Sequence, residues 1–283
     1  MRVRRRKTLF VAAVCGGLIL FAGCAAREKP DLLPRTTQAR EYFVAGEMQK
    51  AIEAYEAAQQ KYPNEKPILE EFIVALEKMN SQAKRDYDAG EYAAAEKACR
   101  LLLANFSRFA GFEESLSFTR PALRERILGC RINLSQRLAR QSLEAGDFQK
   151  ALDAYLVYLN ETPSAAALGA GFIGTAEEVK RIADQAQARK DFVTAGKGYA
   201  VLRKNYPPAQ MTTPLSFSKD VLDEGLVRCR TELTRQGLNQ YRKGNLKEAI
   251  ETWKGLLEFD PENAEIKRAM ETAAEQLKKL KKE

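Results

Sequence analysis

Few side chains in this 283-residue chain could do covalent or acid–base chemistry. It contains no histidine, which removes the usual general base, the Ser-His-Asp and Cys-His arrangements, and most zinc sites. The thiols of Cys24, Cys99, Cys130 and Cys229 form no Cys-x-x-Cys pair. A disulfide needs Cα atoms within about 7 Å. A Cys99–Cys130 bridge is the pairing left open, because the elements that carry the two residues follow one another in the chain. Gly169-Ala170-Gly171-Phe172-Ile173-Gly174 satisfies GxGxxG, but that fingerprint holds a pyrophosphate only between a strand and a helix N-terminus. Here it follows the helix-ending Pro163. There is no GKS or GKT loop, and the pairs Glu70-Glu71, Glu113-Glu114 and Glu177-Glu178 are most simply solvated helix faces. Two carboxylates without a cleft are weak evidence for glycoside hydrolysis. The expectation is a chain that binds rather than catalyses, with no cofactor and no metal.

Cys24 differs from the other thiols in its surroundings. Arg2, Arg4, Arg5, Arg6 and Lys7 precede an uncharged apolar stretch from Leu9 to Phe21, then Ala22, Gly23 and Cys24. The stretch is shorter than the roughly 20 apolar residues of a spanning helix and suits an export signal. An ordinary cleaved signal, or an uncleaved anchor, would leave Cys24 incidental. Phe21-Ala22-Gly23-Cys24 resembles the lipobox of bacterial lipoproteins, departing from it at Phe21, where leucine is usual. That resemblance implies a signal peptide over 1–23, acylation (palmitate) of Cys24, a tether over 24–34 and a folded domain over 35–283. Ala25 and Ala26 after the cysteine imply the periplasmic face of the outer membrane. The net charge of +8 includes the five cations of the leader; from Cys24 onward the balance is 41 minus 38, or +3. A nucleic-acid partner would need a basic stripe on the folded body, and none is evident.

Two periods run through the remainder. One local pattern recurs at Ala45-Gly46-Glu47, Ala89-Gly90-Glu91, Ala145-Gly146-Asp147, Lys190-Asp191 and Lys243-Gly244-Asn245. An alanine follows the turn by five residues, and Tyr55, Cys99, Tyr155, Tyr199 or Trp253 stands four further on. Such glycines close a helix in a left-handed cap, and the next polar residue starts another. The alanine permits close helix approach, and the aromatic lies one turn on, on the same face. Over this lies a period of about 100: Gly46, Gln49-Lys50-Ala51, Tyr55, Pro63 and Phe72-Ile73 recur 100 residues later, and Leu116-Ser117-Phe118 and Cys130-Arg131 recur 99 later. The pattern predicts super-repeat units over 38–137 and 138–236 and a partial third over 237–283. Each full unit carries an insert introduced by Leu-Ser-Phe, expected to start a linking helix that ends near Cys130 or Cys229. The inserts are read either as partner-binding loops or as spacers. A last helix over 264–280, with Ile266, Ala269, Met270, Ala273, Leu277 and Leu280 inward, would cap the array.

This Gly–Ala–aromatic–Pro spacing resembles the second-helix half of the tetratricopeptide repeat (TPR). The match is closest over 38–65, 139–164 and 230–263 and looser over 82–107 and 183–208. The first-helix half matches less well, with Gly237 and Tyr42 as partial matches. The resemblance implies an all-α fold, a TPR-like right-handed superhelix of about five helix pairs with two linking inserts and a C-terminal capping helix. It implies a concave groove holding a partner peptide at Arg40, Phe43, Lys84, Tyr87, Gln136, Arg140, Leu143, Lys180, Gln187, Leu238 and Tyr241. Cations mixed with aromatics there suit a carboxylate-bearing peptide. The expected function is a membrane-anchored interaction scaffold of the bacterial envelope, with other envelope proteins or peptides as partners. The rivals are a self-associating structural lipoprotein (a homo-oligomer) and an enzyme with a site in the Leu-Ser-Phe inserts.

Overall fold

The computed structural model describes residues 33–206 and 214–280. The leader, Cys24 and most of the tether lie outside them. Among the described residues the chain is all-helical: α1 (Leu33–Val44), α2 (Met48–Lys61), α3 (Lys66–Asp88), α4 (Tyr92–Ala104), α5 (Arg120–Glu144), α6 (Phe148–Glu161), α7 (Ala166–Ala188), α8 (Phe192–Lys204), α9 (Lys219–Arg242), α10 (Leu246–Leu257) and α11 (Ala264–Leu280). Two short 3₁₀ segments, Phe106–Phe109 and Glu113–Ser115, lie between α4 and α5. Contacts divide the chain within α3, into one unit ending at Phe72 and another beginning at Ile73. In the second unit each of α4 to α10 packs on the helix that follows it.

The helices start and stop where local chemistry dictates. In α6, Phe148, Ala151, Leu152, Tyr155 and Leu159 fall on one side and are buried, the helical spacing of an amphipathic stripe. Asp147 opens it by accepting from the Lys150 N–H at 3.1 Å, and Pro163 stands two residues after its end, where a ring without an N–H cannot continue the ladder. Asp191 and Ser218 cap α8 and α9 in the same way.

The turn before each second helix recurs five times. Gly46, Gly90, Gly146 and Gly244 have φ of 77°, 81°, 73° and 80°, and Lys190 takes the fifth place at 64°. At each, the next residue's N–H reaches back five residues, as in Asp147 N–H to the Ser142 carbonyl at 2.8 Å and Asp191 N–H to Ala186 at 2.9 Å. These are left-handed caps that satisfy carbonyls at the helix end. Five residues after every such turn stands an alanine with no exposed surface: Ala51, Ala95, Ala151, Ala195 and Ala249. Seven residues before it stands another small buried residue, Ala39, Ala83, Ala139, Ala183 or Gly237. Small side chains at both positions let the two helices of a pair close tightly.

The aromatic nine residues after the turn fills a neighbouring gap, with a glycine opposite Tyr155, Tyr199 and Trp253. A Cβ on Gly225 of α9 would lie 2.7 Å from the Tyr199 ring, and Cβ atoms on Gly171 and Gly237 would overlap Tyr155 and Trp253. Burying each such ring contributes about 2–3 kcal/mol. Cys99 occupies the equivalent place in α4, fully buried.

Two expectations need correction, and one open pairing is answered. The Leu-Ser-Phe inserts do not start separate linking helices. Thr119 and Ser218, two residues beyond the expected caps, begin α5 and α9, which run through Cys130 and Cys229 to become the first helices of the following pairs. A continuous helix keeps its hydrogen-bond ladder, whereas a break would strand carbonyls. Cys99 and Cys130 are free buried thiols rather than a disulfide. In α11, Ile266 and Ala273 are buried, but Leu280 is 62% exposed, with no helix among the described residues covering it.

Candidate partner-binding face

Arg40 and Phe43 lie on α1 in the first unit, where Phe43 is half-buried. Arg40 grips Glu71 through Nε at 2.6 Å and Nη2 at 2.7 Å. Glu71 also accepts from the Thr36 hydroxyl at 2.9 Å and the Tyr55 hydroxyl at 2.8 Å. Burial alone would raise the Glu71 pKa, but the hydrogen bonds from Arg40, Tyr55 and Thr36 and the Arg40 charge outweigh it and hold it below the ordinary carboxylate value. Burial, then Glu71 itself, pushes the Tyr55 phenol upward. Arg40 thus has an internal carboxylate where the groove reading gives it an external one.

In the second unit, Lys84 on α3 and Gln136 and Arg140 on α5 are exposed, and Leu143 is half-buried. Tyr87 lies edge-on to Tyr92 with ring centroids 5.4 Å apart, and its hydroxyl stands where a Cβ of Gly129 would come within 2.8 Å. Lys180 pairs with Asp184 at 2.7 Å, and Asp184 also accepts from the Tyr199 hydroxyl at 2.8 Å. Gln187 is half-buried, with its side-chain oxygen unpartnered. Leu238 is 38% exposed, in a shallow recess of about 490 Å³ on α9 with Thr231, Thr234, Arg235 and Arg242. Tyr241 packs on Trp253, centroids 6.1 Å apart. Exposed and engaged residues therefore mix along these first helices. Sequence reasoning did not single out Arg235, Arg242 or Asp184. Arg235 and Arg242 could have been found, since they recur at helical spacing around Leu238.

The duplicated insert has a matching structural role in each copy. Ser117 donates its backbone N–H and its hydroxyl to the two oxygens of Glu77, both at 2.5 Å. Ser216 does the same to Glu177, at 2.5 and 2.6 Å. The next residue, Phe118 or Phe217, is buried and edge-on to Phe106 or Tyr206. Both inserts are clamps that fasten the incoming chain to the helix before last.

The Cys-Arg pair that follows is also duplicated. Arg131 is only 8% exposed and reaches Glu96 at 2.9 Å, Glu161 at 2.7 Å and the Thr162 hydroxyl at 3.2 Å. Arg230 pairs with Asp260 at 2.8 Å. Burial pushes the Cys130 thiol up to about 12, with the neighbouring Cys99 and Glu96 adding to it, and burial raises Cys229 to about 11. Neither thiol is a nucleophile in this state. Gly169 to Gly174 lies wholly inside α7, with Gly171 beneath Tyr155, so the run forms no phosphate-holding loop. Among the described residues, no group of three acidic or cysteine side chains could hold a metal, and no helix is long and apolar enough to cross a membrane. In comparison with known proteins, the chain matches no family model and no curated protein.

Proposed function

We propose that this protein is a lipid-anchored interaction scaffold of the bacterial envelope, built of TPR-like helix pairs and holding partner peptides on its first helices. One observation carries the reading: the five turns with a buried small residue seven before, a buried alanine five after and a buried aromatic or cysteine nine after. That is the spacing by which TPR pairs close, and proteins of that build bind partners through their first helices. The lipobox-like run before Cys24 supports the anchor, at the periplasmic face of the outer membrane.

Two measurements test it. Cys24→Ala should move the protein from the membrane to the soluble fraction, and retention would favour an uncleaved anchor. In vivo crosslinking from Leu238 and Arg140 should capture a partner that the double variant Arg140→Glu/Leu238→Asp loses while its thermal unfolding is unchanged. A partner captured equally by that variant would refute the groove assignment, and a homo-oligomer alone would favour self-association.

A further inference from the structure

The two Cys-Arg copies sit in different surroundings. Around Arg131 a recess of about 450 Å³ opens between α4, α5 and the end of α6. Its floor is Leu103, Ile127 and Leu128, and its walls carry Arg100, Arg124 and Arg131. Arg131 is saturated by Glu96, Glu161 and Thr162. Arg100 reaches only Glu96, at 3.4 Å, and Arg124 faces the recess without an acidic partner among the described residues. Three guanidinium groups thus meet two carboxylates.

The second copy shows what closes such a place. The counterparts of Leu103 and Arg124, 100 and 99 residues later, are Arg203 and Asp223, and they form an ion pair at 2.8 Å. The internal carboxylate of the second copy is replaced in the first by an unmatched arginine, and the arginine by an aliphatic side chain. An open apolar floor beside an uncompensated guanidinium is complementary to an anion carrying a hydrocarbon group.

We propose that this recess binds an aliphatic carboxylate, with the carboxylate on Arg124 and Arg100 and the alkyl group over Leu103, Ile127 and Leu128. A medium-chain fatty acid and the C-terminal aliphatic residue of a peptide share this chemistry. The site uses none of the groove residues, so it stands or falls independently of the scaffold reading.

Titration of the full protein by calorimetry with octanoate, N-acetyl-leucine and 1-octanol tests it. Octanoate or N-acetyl-leucine should bind saturably at one site per chain, and octanol at least about tenfold more weakly. Tighter binding of octanoate identifies the fatty-acid source, and tighter binding of N-acetyl-leucine the peptide terminus. Arg124→Gln should weaken the carboxylate at least about tenfold. Leu103→Arg/Arg124→Asp, which transplants the pair of the second copy, should abolish binding at an unchanged unfolding temperature. Should the double variant not fold, the exposed Arg124→Gln change carries the test alone. Absence of saturable binding, equal binding of octanol and octanoate, or undiminished binding by Arg124→Gln overturns the proposal.

Discussion

Lys190 holds a left-handed backbone, φ 64°, at the place where the other four turns have glycine. For an L residue this conformation costs about 1–2 kcal/mol. Glycine would remove that cost but loses more chain entropy on folding, about 0.5–1 kcal/mol. The Lys190 side chain is exposed and capping does not need it: the two turn bonds, Lys190 N–H to Gln187 at 3.0 Å and Asp191 N–H to Ala186 at 2.9 Å, are backbone. Lys190→Gly should therefore stabilise the second unit by about 0.5–1 kcal/mol, the difference of the two terms. For a unit of this size that raises Tm by about 1–4 °C. The reciprocal change, Gly146→Lys at the equivalent turn, should lower it by a similar amount. Calorimetry or circular dichroism melts of the three proteins provide the assay. A lower Tm for Lys190→Gly, or a Gly146→Lys variant as stable as the parent, would refute the claim that backbone conformation sets the residue type at these turns.

Arg131→Met should cost about 3 kcal/mol by urea unfolding, because it leaves the nearly buried Glu96 with only the longer contact to Arg100 at 3.4 Å. Arg131→Met/Glu96→Gln should recover much of that loss, and no recovery would contradict the pairing argument. Glu71 has a depressed folded pKa, so its stabilising contribution is present above the unfolded value of about 4.3 and is lost as pH falls through the lower folded value. Glu71→Gln should thus flatten the acid limb of stability against pH for the first unit, and an unchanged limb would count against the cluster. Within the GxGxxG run, Gly169→Ala and Gly174→Ala meet open space and should stabilise α7 by up to about 1 kcal/mol each. Gly171→Ala, overlapping Tyr155, should destabilise by about 1–3 kcal/mol. Equal effects at all three positions would show that packing does not distinguish them.

The helix pairs were legible in the sequence because their causes are local. A left-handed cap, a polar start and an alanine five residues on depend on neighbours within two turns, so Gly146, Asp147 and Ala151 carry their own explanation. The stripe seven before each turn is equally local, but in the sequence only Gly237 stands out from it, since alanine is common in helices and is distinctive only once the turns are aligned. The Leu-Ser-Phe segments that recur 99 residues apart make the same contact in three dimensions, Ser117 on Glu77 and Ser216 on Glu177.

What only the tertiary structure decided are the contacts between residues 30 to 40 apart. The groove pattern points to Arg40, yet Glu71 thirty-one residues later neutralises it. In the sequence Glu70-Glu71 and Glu177-Glu178 read as solvated faces, yet Glu71 and Glu177 each hold a partner across the fold. The Leu-Ser-Phe inserts read in the sequence as either loop or spacer, and the bonds to Glu77 and Glu177 make them clamps. A charged side chain carries no mark in the sequence of whether its counter-charge comes from its own fold or from a partner. The distinction between Arg124 and Asp223 at equivalent places, one facing an open recess and the other closing it with Arg203, exists only once the helices are packed.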